Sequence, residues 1–176
     1  MENKWTLGKT AVVAALTALA ALGTMIIRVP IFISTGYFNI GDIFVILAGL
    51  WLGPVPGLIV GAFGPAVADA VGYPQFIVAT FLIKGTEGLA VGLIGGGPFV
   101  TSIKRKASAA VCGGLIMVFG YFVFEAFIYP FIGNYVPFFK VTNLAGAYGE
   151  LPANITQAVL GVVGGMAMWK PLSNRR

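Results

Sequence analysis

At 176 residues the chain has the length of one domain, but a hydrophobic share of 58%, a charged share of 10% and a mean hydropathy of +0.92 exclude a soluble domain and predict an integral membrane protein. The net charge of +5 does not point to nucleic acid, because the basic residues sit at the ends of apolar segments with no recognition motif among them. With no histidine and a single cysteine, Cys112, the chain excludes a disulfide framework, a standard zinc site and every catalytic scheme that needs an imidazole.

Six apolar segments follow one another in a single domain over 1–176, predicting an all-α protein with six transmembrane helices. The first, about Leu7 to Ile27, is long enough to span a bilayer, which favours a membrane helix over a cleaved signal peptide, and it ends at Arg28-Val29-Pro30. A short loop, Ile31 to Asn39, rich in Ile, Phe and Tyr, is expected to close over a ligand. The second segment, about Ile40 to Leu52, is only roughly 20 Å long as a helix and needs neighbours to screen it. Gly53-Pro54-Val55-Pro56-Gly57 reads as a tight turn. The third segment runs from there to about Val71, with Pro65 expected to kink it. The fourth, about Phe76 to Ile94, carries Gly88, Gly92 and Gly96 at the four-residue spacing of a close-packing face. Gly95 to Pro98 and the run Lys104-Arg105-Lys106 form the next connection. The fifth segment, about Ala107 to Tyr129, is expected to stop at Pro130, and an aromatic-rich loop, Phe131 to Asn143, leads to the sixth, about Leu144 to Trp169.

A cytoplasmic N-terminus with six crossings also makes the C-terminus cytoplasmic. It places Lys4, Lys9, Lys104, Arg105, Lys106, Lys170, Arg175 and Arg176 inside and leaves only Arg28 and Lys140 outside, as the positive-inside rule requires. Trp5, Trp51 and Trp169 then fall at the inner headgroup level, where indoles anchor. Tyr37, Tyr73, Tyr129, Tyr135 and Tyr148 gather at the outer level with Phe38, Phe76, Phe131, Phe138 and Phe139, either as a lipid-facing belt or as stacking partners for a ring.

Lys84 and Glu87 lie in mid-membrane, three residues apart and on one helix face, where a lysine costs roughly 2.5 kcal/mol or more unless it meets a partner or a watered cavity. Whether they contact a ligand or only each other is open at this level. The remaining acids apart from Glu2, namely Asp42, Asp69, Glu125 and Glu150, fall in the same outer half, together with Asn39, Gln75, Thr80, Asn154, Thr156 and Gln157. Independent structural pairs have no reason to choose one leaflet, whereas an outward-opening cavity imposes that bias. The candidate substrate-binding residues are therefore Asn39, Asp42, Asp69, Lys84, Glu87, Glu125, Tyr129, Glu150, Asn154 and Gln157. The inner half is mostly small or aliphatic. There Ala11, Ala14, Ala15 and Ala18 make a smooth stripe on the first helix, suited to internal packing or to docking another membrane protein.

At Gly36-Tyr-Phe-Asn-Ile-Gly-Asp42, Leu52-Gly-Pro-Val-Pro-Gly57, Ala66-Val-Ala-Asp69, Gly72-Tyr-Pro74, Thr80-Phe-Leu-Ile-Lys-Gly85 and Glu87-Gly88 the chain resembles the substrate-binding S components of energy-coupling factor (ECF) vitamin transporters, most closely the riboflavin-type group. The resemblance covers most of segments two to four. It implies a multi-pass cell-membrane protein that captures a water-soluble vitamin with high affinity from outside and works with a transmembrane T component and two ATPase subunits. It also implies that Ala11, Ala14, Ala15 and Ala18 dock the T component. The chain has no Walker motif of its own, so energy comes from elsewhere. No cofactor is expected, the bound vitamin being substrate.

Two other function classes compete. A stand-alone ion- or proton-coupled carrier would use Lys84 and the acids as a relay, and an integral membrane enzyme would use paired carboxylates; neither an inverted repeat nor a nucleophile and base pair supports them. The chain is read as a binding subunit and not an enzyme. Five acids against one deep lysine favour a ligand rich in hydrogen-bond donors, or a cationic one. Riboflavin leads; pyridoxine, thiamine and its pyrimidine precursor also fit, and a polyanion such as folate fits worst.

Overall fold

The computed structural model of the protein describes residues 6–30, 36–139 and 142–173. Glu2, Lys4, Trp5, Lys140, Arg175 and Arg176 lie outside the described residues, as do the first five residues of the predicted closing loop, 31–35, and residue 141.

Among the described residues the chain forms six main helices: α1 Leu7–Ile26, α2 Asp42–Leu52, α3 Pro54–Gly72, α4 Ile77–Gly95, α5 Ile103–Val123 and α6 Leu144–Ser173. All except α2 belong to stretches long and apolar enough to cross a membrane. Local signals set several ends. Thr6 and Ser102 cap α1 and α5 by accepting from the Lys9 and Arg105 amides, and Pro54 opens α3 where its missing N–H costs nothing. Gly53, at φ 101°, is the whole of the α2–α3 turn, so Gly57 lies inside α3 and not in the turn expected from the sequence.

The expected stop at Pro130 is not where the helix ends. After Val123 the backbone widens into a π-helical stretch, Phe124–Ile128, and returns to α-helix over Tyr129–Gly133. The Tyr129 amide donates to Phe124, five residues back. This longer repeat gives the proline ring room that a regular α-turn denies it, and the helix passes through. The basic run is likewise not a loop, since Lys104, Arg105 and Lys106 form the first turn of α5. Between α1 and α2 a short antiparallel hairpin pairs Val29 with Phe38 and Pro30 with Tyr37, an element absent from the sequence reading.

The 11-residue α2 occupies the centre, with Val45, Ile46, Leu47, Ala48 and Leu50 at 0 to 1% exposure. It is sheltered by α1, α3, α4 and α6, which is how so short a helix avoids mismatch with the bilayer. Glycines permit that crowding. A Cβ on Gly57 or Gly61 of α3 would overlap the carbonyl of Gly88 or Lys84, and one on Gly88 would overlap that of Gly57. On the other side Gly161, Gly164 and Gly165 of α6 seat Asp42, Ile43 and Ile46. Small residues let membrane helices pack by van der Waals contact where no hydrophobic force acts between them.

The end of the bundle away from the hairpin, expected to be the inner one, is less apolar than the sequence suggests. Lys106 is fully buried, its Nζ donating to the carbonyls of Leu50 and Gly97, both at 2.5 Å, and lying 5.4 Å from the Trp169 ring. Trp169 is therefore turned inward against a cation and is not an interfacial anchor. The α3–α4 seam yields a prediction: Gly88→Val lowers the unfolding free energy by about 1–3 kcal/mol through overpacking, whereas Gly8→Val, at a position with nothing nearby, leaves it unchanged in the same detergent melt.

Candidate functional site

Polar side chains from the hairpin and from α2 to α6 converge at the hairpin end of the bundle on two connected levels. The upper level is a small cavity of about 20 Å³, room for little more than one water. It is lined by Gly36, Tyr37 and Asn39 from the hairpin and the residues after it, by Asp69, Phe76, Thr80 and Tyr121, and by Glu125, Glu150, Asn154 and Gln157. The π-helical stretch after α5 carries Glu125 into this space.

Hydrogen bonds to buried side chains tie the hairpin down. The Gly36 amide donates to Glu150 Oε1 at 3.0 Å, the Tyr37 hydroxyl donates to Asp69 Oδ1, and the Asn39 amide donates to Gln157 Oε1 at 2.9 Å. Burial, and next the Asp69 carboxylate beside it, push the Tyr37 hydroxyl far above the ordinary phenol range, so it serves as a donor. Arg28 braces the same edge. It donates to the carbonyls of Thr24 and Ala68, and its guanidinium lies 5.0 and 5.1 Å from the rings of Tyr37 and Tyr73.

The lower level holds Lys84. Its Nζ forms ion pairs with Asp42 Oδ1 and with Glu87 Oε2, the latter at 3.2 Å, and all three side chains are at most 1% exposed. Gln157 joins the levels. Its Oε1 accepts from Asn39 and its Nε2 donates to Asp42 Oδ2 at 2.9 Å, so both ends of the amide are committed. Asn39 in turn accepts from the Gly41 amide at 2.9 Å.

The structure thus divides the ten candidate residues. Asn39, Asp69, Glu125, Glu150, Asn154 and Gln157 line the cavity, whereas Asp42, Lys84 and Glu87 form the charged triad and do not reach the lining. Tyr129 is buried in an aromatic cluster with Phe76, Phe124 and Phe139, and its hydroxyl donates to the Gln75 carbonyl, so it does not line the cavity either. Of the other polar residues predicted at this level, Thr80 lines the cavity, while Thr156 is exposed and bonds back to Pro152. Sequence reasoning missed Tyr121, whose hydroxyl is 2.8 Å from Thr80 Oγ1 and whose ring lies 5.6 Å from Lys84 Nζ. The aromatics expected at the outer level also separate: Tyr135, Tyr148, Phe131 and Phe138 are exposed, but Tyr37 and Phe76 line the cavity.

This chain matches the family described as "ECF-type riboflavin transporter, S component" over residues 4–174. The chain belongs to that family. A Pyrococcus woesei protein named "Uncharacterized protein in gap 3'region" is 38% identical over 152 residues, spanning 86% of this chain and 93% of that protein. A solved structure of the S component of a bacterial ECF transporter superposes with a TM-score of 0.68 at 19% identity, covering 96% of this chain and 98% of that one, which establishes the fold. As an S component the chain is a multi-pass membrane protein and a substrate-binding subunit for vitamin uptake, in a family of transporter components and not of enzymes.

The position of Lys84 below the lining changes what its removal does. Lys84→Met leaves two buried carboxylates uncompensated and costs about 3–5 kcal/mol of stability. The triple change Lys84→Met, Asp42→Asn, Glu87→Gln recovers most of that loss in the same thermal assay. A single variant as stable as the parent would show that the triad is not what holds α2 to α4.

Proposed function

We propose that this S component captures a small water-soluble vitamin from the outer side of the membrane and passes it to an ATP-driven ECF module, with both termini cytoplasmic. One observation carries the reading: a sequestered polar cavity under the hairpin, lined by acids, amides and tyrosines, in a membrane protein of this family. Polar groups at that depth need a ligand or each other, and the cavity is too small to admit a vitamin unless the hairpin contacts at Glu150, Asp69 and Gln157 open. Riboflavin, the vitamin in the family's description, is the first probe, its ribityl hydroxyls and ring N–H matching a lining rich in acceptors. Mass spectrometry of protein purified in mild detergent identifies the held vitamin. A protein that carries none, and shows no binding in titrations with riboflavin, pyridoxine or thiamine, overturns the reading. Family membership favours it over a stand-alone carrier.

The side of access has its own test. Phe138 is exposed at the outer aromatic edge, and a cysteine placed there in a Cys112→Ala background reacts with an impermeant thiol reagent applied to intact cells. Reaction only in inverted vesicles reverses the orientation.

The T component would dock on α1. Ala11, Ala14, Ala15 and Ala18 are all exposed, so the stripe is not used in internal packing, and Ala14 and Ala18 border an open apolar groove between α1 and α3. A tryptophan there blocks close helix approach. Ala14→Trp accordingly leaves vitamin binding by the isolated subunit unchanged while abolishing uptake and copurification with the T component. Normal assembly of the variant would place the docking face elsewhere.

A further inference from the structure

The hairpin rests on Arg28, a half-buried residue just past the end of α1 that does not line the cavity. Its Nε donates to the Thr24 carbonyl of α1 at 3.3 Å and its Nη2 to the Ala68 carbonyl of α3 at 2.8 Å. Carbonyls near helix C-termini carry the negative end of the dipole, so a cation is well placed on both. Gly72, in the last turn of α3, leaves the space that the guanidinium fills, because a Cβ there would overlap Nη1. The ring of Tyr73, the residue after α3, lies 5.1 Å away. These holders all belong to α1, to α3 or to the residue that follows α3. The remaining partner, Tyr37, belongs to the hairpin. Its ring lies 5.0 Å from the guanidinium and 4.5 Å from the Tyr73 ring, and its hydroxyl reaches Asp69 in the cavity lining. The ladder itself gives Tyr37 little support, since it is two residues long and the opposing residue, Pro30, has no N–H.

We propose that Arg28 is a positioning residue for substrate retention: anchored on the ends of α1 and α3, it holds the Tyr37 ring where its hydroxyl meets Asp69, and Gly72 is the seat that admits it. This rests on the vitamin-binding reading and adds to it the residue that sets how long a substrate stays. The planar guanidinium is essential, because it lies against two rings while its fork reaches two carbonyls, a combination a lysine ammonium does not reproduce. An alanine at position 72 displaces only the far end of a flexible side chain. The three heavy atoms nearest to its Cβ would all belong to Arg28, so this change unseats the guanidinium without touching the cavity or the helix seam.

Two measurements on the purified full chain test the assignment in Arg28→Gln, Arg28→Lys and Gly72→Ala. In the first, release of prebound riboflavin is followed by flavin fluorescence. Each variant releases it about 10-fold faster or more at unchanged binding stoichiometry, and Arg28→Gln combined with Gly72→Ala is no faster than the faster single variant, because both changes remove one contact. In the second, hydrogen exchange is measured without ligand. The Gly36 and Asn39 amides exchange faster in the variants, while the amides of α4 keep the parent's protection. Release at the parent's rate in Arg28→Gln and Gly72→Ala overturns the proposal, and so does full recovery by Arg28→Lys, which would make charge alone sufficient. Faster exchange spread equally through α3 and α4 also overturns it and marks Arg28 as a brace of the helix ends. If the parent binds no riboflavin, that reading of the substrate fails by itself and the exchange measurement still decides on Arg28: equal hairpin protection in parent and variants overturns it.

Discussion

The ammonium of Lys84 is the constraint on which the hairpin half of this protein depends. A charge at that depth is stable only when its partners are fixed, and the partners here come from two helices, Asp42 at the start of α2 and Glu87 one turn further along α4. Because two carboxylates face one ammonium, a neutral donor is needed as well, and Gln157 of α6 supplies it to Asp42. That single amide then fixes Asn39 by its other end, and Asn39 sets the hairpin. The floor of the cavity, the helix that carries it and the roof over it are thus linked through one connected set of buried hydrogen bonds, each costly to leave unmade.

Much of this arrangement was legible in the sequence, and what was not has a common cause. Lys84, Glu87 and the acids announce themselves because charge in an apolar segment is expensive, and the glycine spacings announce the α3–α4 seam for the same steric reason that the structure shows. Segment ends near Leu52 and Ile27 follow from glycine and proline chemistry, and the helices end at Leu52 and Ile26. Rotational phase does not. Helices that are apolar on every face give no reading of which side looks inward, so the 42-residue jump from Asp42 to Lys84, the inward turn of Tyr121 and the retreat of Tyr129 from the cavity were all invisible. Only once Asp42 is placed opposite Lys84 does the separation of lining residues from the triad become apparent.

Two further departures come from groups that satisfy backbone carbonyls. Lys106 reads as a loop cation, yet its long apolar stem lets it lie buried while its ammonium caps the end of α2 and the turn at Gly97. Pro130 reads as a helix stop, yet the π-helical stretch before it removes the clash and keeps the helix going. In both cases the residue keeps its intrinsic cost, and the surrounding backbone is arranged to meet it. Sequence rules state the cost correctly but cannot say whether the fold has offset it.

The two halves of the bundle are built from different interactions, and this bears on how a ligand enters. Below the triad, α2, α3 and α4 meet backbone to backbone through glycines, contacts that admit no water and no sliding. Above it, the hairpin is held to the bundle by hydrogen bonds from Gly36, Tyr37 and Asn39 to the side chains of Glu150, Asp69 and Gln157. These bonds are buried, but entering water or a polar ligand can replace each as it breaks, whereas parting the glycine seam forfeits close packing with nothing to replace it. The roof therefore opens before the floor does. The cavity can thus widen by moving a short hairpin while the glycine contacts beneath it stay in place.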